Sequence, residues 1–202
     1  MKRILPVLLF GGLILLLSIP VIYGLWLGRL ADAEAAFSDT RYTEAQAQFQ
    51  QVFSGWELKF LPRFLVGENR VRIVLNLIQI GYVLGEYDQT LEFLRGEGSL
   101  SALVNEPEYH FWMGNLLMAQ ALNQPDGHLI DTLVRCREEY LETLRWDADF
   151  WDAKYNYEYV NELLAEFQEG DSHSEDEIKL LLDKVRTDMP RRKKVLPPEM
   201  RK

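Results

Sequence analysis

The chain has 202 residues, a formal net charge of −9 and a single cysteine. That balance argues against a nucleic-acid interface, which needs a clustered positive face. A lone cysteine, Cys136, excludes an internal disulfide, so packing must hold the fold; its place in an apolar helical stripe predicts a buried side chain. Beyond an apolar N-terminal stretch roughly 170 residues remain, enough for one domain with a core and too few for two.

Ile4–Leu27 reads ILPVLLFGGLILLLSIPVIYGLWL, without a charge. At about 1.5 Å per residue it reaches roughly 36 Å, which spans a ~30 Å hydrocarbon core with some tilt. Residues 1–28 are therefore predicted to form a transmembrane anchor. Tyr23 and Trp26, near its end, belong to the residue types that favour the headgroup zone. Gly11, Gly12 and Pro20 are tolerated in membrane helices. The apolar run exceeds that of a signal peptide, and the A-x-A-like Ala33-Glu34-Ala35 lies well past it, so a retained anchor is expected. Lys2 and Arg3 on one flank, against Arg29 on the other, predict a cytoplasmic N-terminus and an extracytoplasmic domain, the periplasm in a bacterium.

From Arg29 onward apolar residues recur three and four apart, the spacing of one helix face. They fall at Ala45, Phe49, Val52 and Phe53; then across Arg70–Leu84 at Val71, Val74, Leu75, Ile78 and Val83; then at Leu91, Phe93 and Leu94. Trp112, Leu116 and Ala119 follow, then Leu133, Cys136, Tyr140 and Leu144, and Phe150–Phe167 closes the series. The predicted fold is all-α, an antiparallel helical array over residues 29–167. Between Ser54 and Gly67 the chain carries WELKFLPRFL, read as a packed linker. As an in-plane membrane segment it would instead use Trp56, Phe60 and Phe64 as anchors, with Lys59 and Arg63 on lipid phosphate.

Two joints share a layout. Thr40-Arg41-Tyr42-Thr43-Glu44-Ala45 and Gly85-Glu86-Tyr87-Asp88-Gln89-Thr90-Leu91 each place a tight turn, an aromatic and then a small residue at the opening of an amphipathic helix. These joints resemble the middle of tetratricopeptide repeats, helix–turn–helix units of about 34 residues. Tyr109-His110-Phe111-Trp112-Met113-Gly114-Asn115 resembles the start of a repeat, with Gly114 at the close-packing position; Cys136, Tyr140 and Thr143-Leu144 resemble its second helix, and Ala153-Lys154-Tyr155-Asn156 opens the next. Ala148 stands where that family usually has Pro, and Tyr42 and Tyr87 are 45 residues apart. Gln124-Pro125-Asp126-Gly127 reads as the turn of an overlong unit. The array is thus a degenerate one of about three units, its first helix, Leu25–Phe37, directly continuing the anchor. The resemblance implies a concave face lined by Phe111, Asn115 and Met118 from one helix and by Tyr155 and Tyr159 from the next; core roles for Phe111 and Tyr155 are the competing reading.

Residues 168–202 read as a polar linker, a short helix over Glu177–Met189 and a basic, proline-broken tail. Arg191, Arg192, Lys193 and Lys194 make that tail either a solvated end or a docking arm for an acidic partner or anionic lipid. His110, His128 and His173 lack metal-ligand spacing, and no phosphate loop or hydrolase motif occurs. Asp147, Asp149 and Asp152 beside Trp146 and Trp151 read as helix-start residues. The expectation is a non-enzyme with no cofactor, metal or small-molecule substrate, whose partners are other proteins of a membrane or periplasmic complex. Over Tyr109–Leu163 the succession WMGN, LL, AQAL, then EEYLETLR, then DAKYNYEYV also resembles the small membrane-anchored repeat proteins encoded with MoxR ATPases and von Willebrand factor A proteins, the MxaK type of methanol dehydrogenase maturation clusters. That resemblance implies an assembly factor; a permanent structural subunit and a periplasmic chaperone near the translocon are the alternatives.

Overall fold

The computed structural model describes residues 4–96, 100–123 and 129–169, with side chains from residue 17 to residue 167 of those spans. The three-and-four spacing yields helices throughout: α1 (Ile4–Ser38), α2 (Tyr42–Phe53), α3 (Arg63–Leu84), α4 (Tyr87–Arg95), α5 (Pro107–Asn123), α6 (Leu129–Trp146) and α7 (Trp151–Glu169). Two 3₁₀ turns, Trp56–Lys59 and Ser101–Asn105, interrupt the series, and no strand occurs among the described residues. Short joints make consecutive helices antiparallel neighbours. α1 packs on α2, α2 on α3, α3 on α4, α5 on α6 and α6 on α7, while α5 also lies against α3 and α4.

α1 is a single helix of 35 residues, so the segment Leu25–Phe37 continues the apolar run without a break. Among the described residues no helix is long and apolar enough to cross a membrane. Most of the predicted anchor, residues 1–16, lies outside the described side chains. Downstream, α1 joins the core through Trp26, Leu30, Ala33 and Ala36, all buried. Trp26 corrects an expectation. It is 0 % exposed, and its Nε1 donates to the Val52 carbonyl at 3.2 Å. The indole sits on the face of α1 that meets α2, where burial satisfies both its ring and its N–H, so it is unavailable to a headgroup zone.

The two joints with shared layout are one turn used twice. Thr40 and Gly85 both take the left-handed conformation, with φ of 61° and 78°. Arg41 N–H donates to Ala36 O at 2.9 Å, and Glu86 N–H donates to Gly81 O at 2.8 Å. Each is the six-to-one bond that closes a helix over a left-handed residue. Two residues on, Tyr42 packs on Phe37 and Tyr87 on Tyr82, both at 5.9 Å between ring centroids. Five residues on, Ala45 and Thr90 are buried at the helix opening. At the second joint the helices approach so closely that a Cβ on Gly81 would lie 2.0 Å from Thr90 Oγ1.

Threonine is β-branched and strained where φ is positive. Thr40→Gly is therefore expected to stabilise the protein by about 1 kcal/mol, a rise of roughly 2–4 °C in melting temperature, read by thermal denaturation; Gly85→Ala should move it the other way.

The linker reading of WELKFLPRFL is corrected by α3, which starts at Arg63 rather than Arg70. Pro62 supplies the extended residue before the helix (φ −61°, ψ 141°), and Val66 in the first turns is buried. Proline needs no N–H at a helix entry. What remains of the linker is the turn Trp56–Lys59, clamped by a carboxylate. Glu57 is 1 % exposed and receives Arg29 Nη1 from α1 on Oε1 at 2.5 Å.

α5 is the central helix. His110, Phe111, Trp112, Gly114 and the run Asn115–Ala119 are all buried, a helix apolar nearly all round, as expected of an element with neighbours on both sides. At Gly114 α6 comes close: an added Cβ would lie 2.7 Å from the ring of Tyr140.

Candidate functional site

The residues expected on a concave lining divide sharply by burial. Phe111, Asn115 and Met118 are 4 %, 3 % and 3 % exposed. This places them in the packing between helices instead of on an open lining, because α5 is covered by α6 on one side and by α3 and α4 on the other. Phe111 packs at a tilt against Phe150, 4.9 Å between ring centroids, and against Tyr140, 6.2 Å. Asn115 Oδ1 accepts two bonds of 3.0 Å, from the Tyr140 hydroxyl on α6 and from Asn156 Nδ2 on α7. A buried amide that ties three helices fixes their register, since slipping any one of them leaves a polar group unpaired.

Cys136 belongs to the same layer. It is fully buried, with its Sγ 3.1 Å from the Gly114 carbonyl. Burial, opposed by the Tyr140 hydroxyl, pushes its thiol up to about 12. The thiolate is the reactive form, so this cysteine is inert in the folded protein.

Tyr155 is different. It is 57 % exposed and lies one turn into α7, beside Trp151 at 75 % and near Trp146 at 54 % across the α6–α7 joint. Tyr159, one turn further, is half-buried. The joint is acidic. Asp147 Oδ1 accepts the Asp149 N–H at 2.9 Å, which shapes the turn, and Asp152 lies in the first turn of α7, where the helix dipole favours an anion. Lys154 Nζ rests 4.6 Å above the Trp151 ring. The result is a corner of exposed aromatic rings on an acidic rim. In sequence the two tryptophans flank DADF and read as helix-start neighbours; that W-x₄-W spacing around an acidic turn was the available signal for an exposed corner.

At the N-terminal end of α5, on the side of the same joint, His110 is held on both ring nitrogens. Nδ1 is 2.8 Å from Glu139 Oε2, and Nε2 is 3.0 Å from the Val104 carbonyl. Both partners are acceptors, so only the imidazolium satisfies both. The Glu139 hydrogen bond raises the His110 pKa above its ordinary 6.5, against the opposing effect of burial. A raised folded-state value gives stability that is fully present below the unfolded pKa and is lost as pH rises through the folded one. The stability gap between wild type and Glu139→Gln is therefore expected to be larger at about pH 6 than at about pH 8, as read from urea midpoints. A gap that widens with pH would overturn this assignment.

A cleft of about 80 Å³ between α2 and α4 is lined by Gln46, Gln50, Glu86 and Gln89 among others, and Gln46 Nε2 donates across it to Glu86. It has room for a few waters. Among the described residues no group of three or more His, Cys, Asp or Glu is placed to hold a metal ion. Arg191, Arg192, Lys193 and Lys194, the short helix expected over Glu177–Met189, the turn Gln124–Gly127, and both His128 and His173 lie outside the described residues.

The architecture is that of an all-helical protein built from antiparallel hairpins with a repeated turn. Comparison with protein-family models, with curated proteins and with solved structures gives no match for this chain.

Proposed function

We propose that this protein is a membrane-anchored, non-catalytic scaffold of the degenerate tetratricopeptide-repeat type that docks a partner protein at its Trp146–Tyr155 corner. The observation that carries the reading is the recurrence of one turn, with its left-handed residue, tyrosine and small residue, at Thr40 and Gly85. Recurring hairpins stack into arrays whose business is holding other chains. Exposed tryptophan and tyrosine are the side chains that most often dominate a protein interface. Their acidic rim suits a partner segment carrying Lys or Arg.

Anchoring is supported by the uncharged run Ile4–Leu27 and by its continuity with α1. Retention has a physical ground as well: cleavage near Ala35 would remove Trp26, Leu30 and Ala33 from the core. Lys2 and Arg3 favour a cytoplasmic N-terminus and an extracytoplasmic domain. In this reading the protein assists assembly of a periplasmic or membrane enzyme complex, the role implied by its likeness to MxaK-type proteins, and Arg191–Lys194 form a second, electrostatic contact.

The test is a mild-detergent pull-down of the tagged full chain, followed by mass spectrometry. It is repeated with Trp151→Ala/Tyr155→Ala and with a chain ending at Met189. A fixed partner set lost in the double variant supports the scaffold and its corner. A set lost only on truncation moves the dock to the tail. A diffuse spectrum of unfolded clients replaces the scaffold with a general chaperone.

A further inference from the structure

The turn between α2 and α3, with the first turn of α3, leaves three large aromatic side chains in solvent. Trp56 is 48 % exposed, Phe60 61 % and Phe64 84 %. Trp56 and Phe60 meet edge to face at 5.9 Å, so they form one patch. Lys59 and Arg63 alternate with these rings and are themselves exposed, with no ion pair to either among the described residues. In a chain of net charge −9 this is a local reversal of sign on an apolar surface.

The position of the patch is fixed by α1. Arg29 Nη1 reaches the buried Glu57 inside this turn, and Trp26 Nε1 holds the Val52 carbonyl just before it. Arg29 stands two residues past the uncharged run that ends at Leu27, a rise of about 3 Å along a helix. Just below, Leu17, Val21 and Leu25 recur every fourth residue on α1 and are 60 %, 63 % and 58 % exposed. An exposed apolar stripe on α1 thus runs up to the level at which the aromatic patch is clamped.

We infer that residues Trp56–Phe64 form an in-plane foot on an anionic phospholipid surface: the three rings enter the headgroup–acyl boundary and Lys59 and Arg63 meet lipid phosphate. The inference rests on the anchor reading above and adds a second membrane contact to it. Tryptophan is favoured at that depth, and a basic–aromatic face is the composition that binds anionic interfaces. Rings and cations together would also suit an acidic protein segment. The position beside the end of the apolar run, level with the exposed stripe on α1, is what favours a bilayer. With the foot seated, the domain is held at two points and cannot swivel about α1, so the Trp146–Tyr155 corner is presented in a set direction.

The experiment uses the full chain in phosphatidylcholine–phosphatidylglycerol vesicles. A nitroxide is placed singly at Leu13→Cys, Phe60→Cys, Phe64→Cys or Trp151→Cys, and its collision rates with oxygen and with a water-soluble nickel complex are compared. Cys136 is buried and leaves the labelling clean. Because the residues replaced at 60, 64 and 151 are mostly exposed, these substitutions spare the fold. The expected result is an oxygen-to-nickel ratio several-fold higher at 13, 60 and 64 than at 151. Lys59→Glu/Arg63→Glu should lower the ratio at 60 and 64 while leaving 13 unchanged. A lipid signal at 13 with aqueous signals at 60 and 64 overturns the foot and keeps the anchor, freeing the patch for a protein partner. Aqueous signals at all three overturn both. Lipid signals at 60 and 64 with water at 13 keep the foot and remove the anchor.

Discussion

Trp26→Ala is expected to destabilise the protein by about 3–5 kcal/mol, the range for truncating a buried aromatic side chain. Trp26 is 0 % exposed, stacks on Tyr23 at 6.1 Å and donates its indole N–H to the Val52 carbonyl. Its removal leaves a cavity between α1 and α2 and strips a hydrogen bond from the end of α2. Trp26→Phe separates the two contributions: it refills much of the space but not the bond, so it should cost less than alanine by at least the cavity difference and retain a loss of about 1 kcal/mol. Urea denaturation in mild detergent reads both. A loss below about 1 kcal/mol for the alanine variant would mean that α1 is a tether beside the domain and not part of its core.

Gly114→Ala is expected to cost about 1–3 kcal/mol although helix propensity alone would make it favourable by about 1 kcal/mol. The clash decides the sign. The new Cβ would stand 2.7, 2.9 and 3.0 Å from three atoms of the Tyr140 ring. That ring is 1 % exposed and its hydroxyl is tied to Asn115, so it cannot swing aside without breaking the bond that links α5 to α6. Gly67 on α3 is the control. An added Cβ there meets nothing within 4 Å, and Gly67→Ala should stabilise. Combining Gly114→Ala with Tyr140→Leu should lose less than the sum of the two single changes, because the smaller side chain removes the clash. Additive losses would separate Gly114 from Tyr140.

Much of the array is legible from residue spacing. α2, α6 and α7 keep one apolar face each, and period three-to-four marks them plainly, as in Leu133, Cys136 and Tyr140. Gly114 is readable as a close approach because a glycine amid FWMGN has no turn to make. The start of α3 is less legible, since apolar and charged residues alternate irregularly around Pro62 and only the burial of Leu61 and Val66 shows where the helix is pinned. The candidate site is the least legible part. Phe111 and Tyr155 are both aromatic residues near a repeat's opening, yet one is 4 % exposed and the other 57 %. The difference lies in how many neighbours each helix has, which no local pattern records.

By itself the sequence determines the helical class, the tight turns before Tyr42 and Tyr87, and the uncharged run before Arg29, because each follows from short-range physics: periodicity, turn residues and hydropathy; the left-handed backbone at Thr40 does not follow from a threonine. Only the tertiary structure decides that Trp26 faces α2 and not solvent, that Glu57 is buried against Arg29 across 28 residues, and that Asn115 joins α6 to α7. It also decides that α5 is covered while the rings at 56, 60, 64, 151 and 155 are not. The physical reason is that a helix carries its apolar stripe in its own sequence, whereas the number of stripes that meet around it is set by where its distant neighbours pack.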